Sequence, residues 1–433
     1  MRTIDLRGVP SDSAEFATAV PRPVVDVSVA SEAAAALIDE VRSDGSAALL
    51  AQSERFDGVR PVALRVPHAE IDEAVAGLEP ALRYALEQAI DRVRQATAAQ
   101  VPPPATTQLG PGASVTQRWQ PVARAGLYVP GGKAVYPSSV VMNVVPAQVA
   151  GVAQVALASP AQKEFGGSVH PTILAAAGLL GVDEVYAMGG AGAIGALAYG
   201  VPDAGIAPVQ VITGPGNIYV AAAKRLVRGQ VGIDAEAGTT EILVIADASA
   251  DARLVAADLL SQAEHDEAAA SVLVTDSADL AAAVDAEVER QVLTTENRER
   301  AAVALTGPQS AIVLVDDEAA AVAFSNAYAP EHLELQTADP QETLAGIENA
   351  GAIFLGASSP VSLGDYLAGS NHVLPTGGAA RHSAALGAYA FLRAQQIISY
   401  DRGALQAVRE PIVALAEAEH LPAHGEAVSI RFE

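Results

Sequence analysis

The sequence predicts an α/β protein with parallel, doubly wound sheets. From residue 122 onward, short apolar runs alternate with stretches of helical length, which is the pattern that strand-helix-strand units produce. Half of the 433 residues are hydrophobic but only 4% are aromatic, so Ala, Val, Leu and Ile must fill the core. A chain of this length is too long for one core and predicts two or more domains.

The first part of the chain predicts helices. Residues 31–43 predict a helix with Ser31 as its N-cap and Gly45 beyond its end. Residues 68–98 predict one or two amphipathic helices with a break at Pro80, because proline interrupts a helix that reaches it from the N-terminal side.

Strands and helices alternate along the rest of the chain. Strands are predicted at residues 153–158, 184–188, 209–213, 241–246, 271–275, 311–315 and 352–355. Helices are predicted at residues 169–180, 215–227, 251–264 and 277–290. Residues 140–158 are the most apolar stretch, but Asn143 and Pro146 interrupt it. We interpret it as a helix and a buried strand, because a membrane span needs about 20 mostly apolar residues.

Charge and cysteine content exclude several classes of function. The net charge of -25, from 26 basic and 51 acidic residues, argues against a nucleic-acid partner, which needs a basic face. The few lysines form no basic cluster for anionic membranes. The N-terminal residues contain no apolar signal core, so we expect a cytoplasmic protein. The absence of Cys excludes disulfides, thiolate metal sites and a Cys nucleophile.

One glycine-rich segment imitates a dinucleotide-binding turn. Gly190-Ala-Gly192-Ala-Ile-Gly195 matches the G-x-G-x-x-G pattern between a predicted strand and a helix. That fingerprint also needs an acidic residue about 20 positions on, after the next strand, to bind the ribose. The next strand, residues 209–213, runs into Gly-Pro-Gly, and Asp203 comes before it. The ribose partner is therefore missing.

Two other turns are better placed to hold a dinucleotide. Tyr128 precedes Pro130-Gly131-Gly132, where glycine allows close backbone approach, and its ring could stack or hydrogen-bond. Gly214-Pro-Gly-Asn217 stands at a strand-to-helix junction, where free backbone N–H groups favour anions. Spacing alone favours ordinary tight turns at both places.

Gln262 and His265 suggest a metal site. They are three residues apart on a predicted helix and share one face. Imidazole is a common zinc ligand, and the Gln carbonyl oxygen is an unusual but usable one. Asp365 and His424 would complete the set from distant segments. Taken singly, such residues are more often helix caps or core hydrogen-bonding groups. Without a thiolate, Mn²⁺ or Co²⁺ could compete with Zn²⁺.

Residues 328–334, Tyr-Ala-Pro-Glu-His-Leu-Glu, place Glu331 beside His332. A carboxylate and an imidazole in one pocket can divide acid-base work, because His titrates near neutrality and Glu well below it. The alternative is a pair without chemistry at the start of a strand, where neighbouring side chains point to opposite faces. Likewise, His372 could be a loop imidazole and Glu419 a solvated helix residue.

Together these segments resemble the histidinol dehydrogenase family. The resemblance runs from about Val24 to the C-terminus and keeps the motifs in order. It rests on residues 126–132 (GLYVPGG), 213–217 (TGPGN), 233–241 (IDAEAGTTE), 259–266 (LLSQAEHD), 328–334, 364–376 (GDYLAGSNHVLPT) and 419–424 (EHLPAH).

The resemblance implies two Rossmann-like domains, one inserted in the other, with a helical C-terminal tail. Residues 1–23 would form an N-terminal segment. The domains and tail would be residues 24–127 with 241–378 (metal and acid-base pair), residues 128–240 (the inserted, cofactor-side domain) and residues 379–433 (the tail). The family is homodimeric, and its tail reaches into the partner's site.

The implied activity is the oxidation of L-histidinol to L-histidine through histidinal with two NAD, the last step of histidine biosynthesis. The implied metal is Zn²⁺. The absence of Cys fits, because a hydrated aldehyde can replace the thiohemiacetal that many aldehyde oxidations use.

The resemblance also implies roles for individual residues. Glu331 and His332 match the catalytic acid-base pair. The implied metal ligands are Gln262, His265, Asp365 and His424. The implied substrate contacts are Thr240 (more often Ser in the family), Gln262, His265, His332, Asp365, His372, Glu419 and His424. The implied cofactor contacts are Tyr128, Asn217 and position 192, where Gly192 replaces the expected Gln and supplies no side-chain group.

Two alternative hypotheses of function are compatible with the same residues. A paralogous metal- and NAD-dependent dehydrogenase could act on another small polar alcohol, although His372 and Glu419 suit imidazole and ammonium recognition. A non-enzymatic binder could keep the fold, although Glu331 and His332 argue for turnover. Oxidation of histidinol with NAD would separate all three.

Overall fold

The computed structural model describes residues 1–22, 27–131, 135–235 and 238–433. It contains two parallel sheets covered by helices and one small antiparallel sheet. The predicted class, doubly wound parallel α/β, is confirmed. In these ranges no helix combines the length and hydropathy that a membrane span needs.

The strands are β1 Arg2–Asp5, β2 Ala105–Gly110, β3 Ala113–Pro121, β4 Arg124–Tyr128, β5 Gln154–Ser159, β6 Val185–Ala187, β7 Val211–Thr213, β8 Gly232–Ile233, β9 Glu241–Ala246, β10 Ala270–Thr275, β11 Ala311–Leu314, β12 His332–Gln336, β13 Ala352–Leu355 and β14 Leu392–Tyr400. The helices are α1 Ala14–Thr18, α2 Val27–Asp44, α3 Ser46–Phe56, α4 His68–Ala76, α5 Pro80–Ala98, α6 Pro137–Ala150, α7 Pro171–Leu179, α8 Gly190–Tyr199, α9 Ile218–Val227, α10 Ala252–Ala263, α11 Ala278–Val292, α12 Arg298–Thr306, α13 Glu318–Tyr328, α14 Pro340–Leu344, α15 Val361–Tyr366, α16 Arg402–Ala418 and α17 Pro422–Ser429.

The first sheet has six parallel strands in the order β1-β11-β10-β9-β12-β13. Helices α10, α11 and α12 cover one face, and α1 with α13 covers the other. Leu333 and Leu335 of β12 pack on the α13 side. Because side chains alternate along a strand, His332, Glu334 and Gln336 face α10. These three polar side chains lie in an otherwise apolar interface, and the candidate active site lies where the row begins, at His332.

The second sheet has five parallel strands in the order β6-β5-β4-β7-β8. Helices α2, α3, α8 and α9 pack on one face, and α4 to α7 pack on the other. Strands β2, β3 and β14 form the antiparallel sheet, from which the chain continues into α16 and α17. The sequence did not predict this third sheet, because its strands are largely exposed and polar.

The local predictions hold in most places. All seven predicted strands are present, each within two residues of its predicted ends. The predicted helical region 68–98 consists of two helices that are separated before Pro80. Pro80 begins α5, and Glu79 is its N-cap. The N-cap prediction for Ser31 is wrong, because α2 begins at Val27 and runs through it.

The domain boundaries stay a prediction, and the packing differs from them in two respects. The helices of residues 24–127 pack on the second sheet rather than the first, because their apolar faces meet those of α6 to α9. Strand β1, in the predicted N-terminal segment, pairs with β11 and so belongs to the first sheet. Val24 itself lies outside the described residues.

Candidate active site

The predicted acid-base pair lies at the amino edge of the first sheet. Strand β12 begins at His332 beside β9, and His332 pairs in register with Ile242. Helices α10 and α15 run back from the carboxyl edge, so their last turns carry Gln262 and Asp365 to this amino edge. The negative ends of helix dipoles favour a bound cation here.

A chain of hydrogen bonds holds Glu331. Its Oε2 accepts a bond of 2.6 Å from the Thr240 hydroxyl and one of 2.8 Å from the Glu241 backbone N–H. The Thr240 oxygen accepts a bond from Gln262 Nε2. Glu331 and Gln262 are buried. These hydrogen bonds direct the Gln262 side-chain nitrogen toward Thr240. The Gln262 carbonyl oxygen is therefore the atom that can bind a metal.

His332 is buried in contact with Glu331, whose Oε2 lies 3.4 Å from Nδ1. The same nitrogen donates to the Glu241 carbonyl over 3.1 Å, so Nε2 is the nitrogen left for a substrate. Burial alone would lower the pKa of His332, but the charge and hydrogen bond of Glu331, with the charge of Asp365, raise it to about 9. Neighbouring side chains within a strand point to opposite faces, but Glu331 precedes the first residue of β12. Its side chain can therefore turn toward that of His332.

His265 and His372 complete the group at this edge. His265 Nε2 lies 4.0 Å from Asp365 Oδ2. His372 Nδ1 donates to the Asp365 backbone carbonyl over 3.0 Å, and its Nε2 is 3.0 Å from the Ser139 hydroxyl. Burial outweighs the nearby carboxylates and lowers the pKa of His372. His372 is therefore neutral, and its Nε2 accepts from Ser139.

The side-chain oxygen and nitrogen atoms of Gln262, His265 and Asp365 are suitable ligands for a divalent metal ion. Two ligands of one tetrahedral zinc ion, each about 2.1 Å from it, lie about 3.4 Å apart. The His265–Asp365 distance of 4.0 Å is near this spacing and too long for a hydrogen bond. A cation here would also offset the Asp365 charge that acts on His332.

The structure does not bring His424 to these ligands. Among the described residues, no three His, Asp or Glu side chains are close enough together to hold a metal. His424 lies in α17 and Glu419 caps the end of α16, and both are exposed. These helices pack on each other, and α16 also contacts β14. Seven of the nine predicted catalytic, metal and substrate residues therefore meet in one chain, and the two tail residues do not.

The predicted cofactor residues lie at the carboxyl edge of the second sheet. Tyr128 ends β4, and its hydroxyl accepts a 3.1 Å bond from the Gly190 N–H at the start of α8. The ring is buried, and burial raises the pKa of the hydroxyl to about 12, so Tyr128 offers an O–H donor rather than a stacking face. Asn217 caps α9 through Oδ1, which leaves its Nδ2 to donate. Gly132 lies outside the described residues.

Gly192 lies in the first turn of α8 against Gln52. A Cβ at this position would lie 2.0 Å from Gln52 Oε1. The Gln52 amide is fixed, because Nε2 donates to Leu37 O over 3.0 Å and to Glu40 Oε2 over 2.9 Å. A glutamine at 192 would displace this buried amide. Gly192 therefore fits the packing of Gln52 in this chain, and it supplies no side-chain group to a cofactor.

The same edge fits a dinucleotide. A Cβ at Gly214 would lie 1.9 Å from the Tyr128 carbonyl oxygen, and its φ of 119° also favours glycine. Helices α8 and α9 begin here, and the positive ends of their dipoles favour a bound anion. Ser159 Oγ, at the end of β5, is buried and has no hydrogen-bond partner among the described residues.

Arg22 and Glu241 belong to the site and were not predicted. Arg22 binds the buried Glu241 carboxylate through Nε at 2.8 Å and Nη2 at 3.1 Å, and its guanidinium lies 3.9 Å from the centre of the Tyr328 ring. The Glu241 backbone in turn contacts both Glu331 and His332. The sequence contained one feature that could have indicated Glu241, namely a carboxylate at the start of the otherwise apolar strand β9.

Comparison with known proteins agrees with this geometry. The family model described as histidinol dehydrogenase matches residues 20–432. Histidinol dehydrogenase of Leifsonia xyli subsp. xyli is 70% identical, over 100% of this chain and 99% of that protein. The enzyme of Mycobacterium tuberculosis H37Rv is 58% identical, over 99% and 98%. The crystal structure of histidinol dehydrogenase from Elizabethkingia anophelis superposes with a TM-score of 0.94 at 33% identity, over 100% and 98%. The chain belongs to the histidinol dehydrogenase family.

Proposed function

We propose that this oxidoreductase converts L-histidinol to L-histidine through histidinal with two NAD⁺, as the last step of histidine biosynthesis. The observation that supports this most is the hydrogen-bonded group of Glu331, Thr240 and Gln262 beside His332. It combines an acid-base pair and a metal-binding amide in one buried site, which suits an alcohol dehydrogenase that has no Cys nucleophile.

In the first oxidation, the alcohol loses a proton and a hydride. His332 acts in its neutral form, which increases as the pH rises toward its raised pKa of about 9. In that form Nε2 takes the hydroxyl proton, because Nδ1 is already committed to the Glu241 carbonyl. NAD⁺, which Tyr128 and Asn217 would hold, would accept the hydride of the carbinol carbon. The product is the aldehyde, which stays in the site for the second step.

In the second oxidation, water adds to the aldehyde before a second hydride leaves. Glu331 activates the water. Its Oε2 is held by Thr240 and the Glu241 N–H, so Oε1 is the oxygen left to take a proton. His332, after it has released the first proton to solvent, takes the hydroxyl proton of the hydrate as the second hydride leaves, which yields the carboxylate.

Zn²⁺, or Mn²⁺ or Co²⁺ in its place, would be held by Gln262, His265, Asp365 and the partner subunit's His424, and would orient the substrate through its imidazole and amine nitrogens. His372 and Glu419 complete substrate binding, and Tyr128 and Asn217 donate to NAD. We further propose a cytoplasmic homodimer with exchanged tails. Exposed apolar side chains on β14, α16 and the C-terminus support it: Ile398, Leu415 and Ile430.

The test is to supply L-histidinol and NAD⁺ to the purified, zinc-loaded protein and count products. We expect two NADH and one histidine per histidinol, and one NADH per histidinal. NADH formation from a different small alcohol but not from histidinol would instead support the paralogous dehydrogenase. No turnover of any alcohol, with NAD binding intact, would support the binder.

A further inference from the structure

A buried ion pair lies beside the turn that precedes Asn217. Lys224 in α9 and Asp234, directly after β8, contact each other through Nζ and Oδ1, and their side chains are only 2% and 5% exposed. Both also bind the backbone of Gly214, directly after β7. Nζ donates to the Gly214 carbonyl oxygen over 3.0 Å, and the Gly214 N–H donates to Asp234 Oδ2 over 2.8 Å. The pair therefore engages both hydrogen-bonding groups of one residue.

The fold brings these three residues to the carboxyl edge of the second sheet. Strands β7 and β8 are parallel neighbours, so the residues that follow them, Gly214 and Asp234, lie at the same edge. Side chains of a helix tilt toward its N-terminus, which directs Lys224 back from the second turn of α9 toward this edge. The ion pair is therefore part of the edge where the predicted cofactor residues lie.

Gly214 connects the two predicted cofactor residues. A Cβ on Gly214 would lie 1.9 Å from the Tyr128 carbonyl oxygen, so its backbone is packed against the residue that ends β4. Three residues later Asn217 caps α9, and its Oδ1 accepts from the N–H groups of Tyr219 and Val220 over 3.0 and 3.2 Å. A shift of Gly214 would therefore move the turn that carries Asn217 relative to Tyr128.

Stability alone does not account for an ion pair at this position. Taking two charges out of water has a high desolvation cost, and apolar side chains of similar volume are often at least as stabilising. The pair supplies direction instead, because hydrogen bonds to charged groups hold both the N–H and the carbonyl of Gly214 in place. We propose that Lys224 and Asp234 are positioning residues that hold the turn of residues 214–217 in the conformation that binds the NAD cofactor. The inference rests on the NAD dependence proposed above.

The experiment compares two double variants with wild type by titration calorimetry with NADH. Lys224→Met/Asp234→Asn removes both charges and the bond to the Gly214 carbonyl, but the amide keeps an acceptor for the Gly214 N–H. Lys224→Met/Asp234→Leu has nearly the same shape and the same net charge, and it removes that acceptor as well. We expect NADH binding to weaken roughly tenfold in the first variant and roughly a further tenfold in the second, since each step removes one hydrogen bond.

Two further measurements separate positioning from a general loss of stability. Zinc content and calorimetric binding of histidinol should stay at wild-type values in both variants, because His265 and the acid-base pair lie at the first sheet. Arg124→Met/Glu184→Gln is the matched control, because this ion pair, with a bond of 2.8 Å, lies at the opposite, amino edge of the second sheet. The control should lower the unfolding temperature and leave NADH affinity unchanged.

The outcomes distinguish this inference from the proposed function. If wild type binds NADH and both double variants at Lys224 and Asp234 bind it as tightly, the positioning role is wrong and the proposed function stands. The same conclusion follows if the control weakens NADH binding as much as they do. If the variant with leucine does not fold, the variant with asparagine still tests the bond from Lys224 against wild type. If wild type binds no NADH, both proposals are wrong.

Discussion

The Thr240 hydroxyl donates a 2.6 Å hydrogen bond to Glu331 Oε2 while its oxygen accepts from Gln262 Nε2. One hydroxyl thus orients both the group proposed to activate water and the amide proposed to bind metal. This assigns to Thr240 a positioning role in addition to the predicted substrate contact. A side chain without that hydroxyl would release both neighbours at once.

Thr240→Val should therefore lower kcat by about 10- to 100-fold, because a buried carboxylate and a buried amide each lose a partner. Thr240→Ser keeps the hydroxyl and should retain most of the activity. The measurement is steady-state histidinol oxidation, with bound zinc determined in parallel. A Val variant with wild-type kcat and metal content would show that the hydrogen-bond chain is dispensable.

Glu331→Gln should separate the two oxidations. Glu331 is proposed to act chiefly on water, so the variant should keep much of the first hydride transfer and lose most of the second. General-base assistance is typically worth about 10²–10⁴-fold. Single-turnover NADH formation, from histidinol and from histidinal separately, measures each step. His332→Ala is the matched comparison and should slow both, while equal losses for Glu331→Gln would reduce Glu331 to an electrostatic role.

Metal removal should abolish turnover and leave the fold intact. Exhaustive chelation should take away about one metal per chain, and Zn²⁺ or Mn²⁺ should restore activity. His265→Ala should lose the metal without unfolding, since its side chain is only partly buried. Full activity in metal-free protein would contradict the ligand assignment. His68→Ala is a suitable control, because that exposed imidazole lies far along the chain from the motifs.

The sequence predicted the strands with continuous apolar runs well, because burial on both faces leaves a clear signal. It missed β12, because His332, Glu334 and Gln336 break that signal on the α10 face. The contact between Glu331 and His332 follows from where β12 begins, which periodicity does not determine. Arg22 was missed because its partner Glu241 is 219 residues away.

Mixed dimers should reveal exchange of the tail. One variant carries His332→Ala and the other His424→Ala, each inactive alone. If the tail serves the partner's site, one site of a mixed dimer carries both lesions and the other carries neither. Random subunit exchange would then restore about a quarter of the wild-type sites. Verified mixed dimers without activity would place both residues in the same chain's site.

Asp258 of α10 and Glu334 of β12 are both buried between that helix and the first sheet, where the charge of each acts on the other. Gln336 Nε2 also donates to Glu334 Oε1 over 3.0 Å. Burial, with the neighbouring charge, raises the pKa of Glu334 to about 9, and burial raises that of Asp258 to about 6. We therefore expect the pair to hold one shared proton between these pH values.

Glu334 has a folded pKa above its unfolded value, so it binds more protons when folded. Its contribution to stability is complete below its ordinary pKa of 4.5, falls as the pH rises, and is lost above about 9. The decline is at most about 1.4 kcal/mol per pH unit. Glu334→Gln keeps a donor for Asp258 and does not titrate, so the variant should gain stability relative to wild type from pH 6 to 9. Urea unfolding at a fixed protein concentration measures this, with the exposed Glu348→Gln as a control that should follow wild type. A constant difference between Glu334→Gln and wild type across that range would show that the pair holds no shared proton.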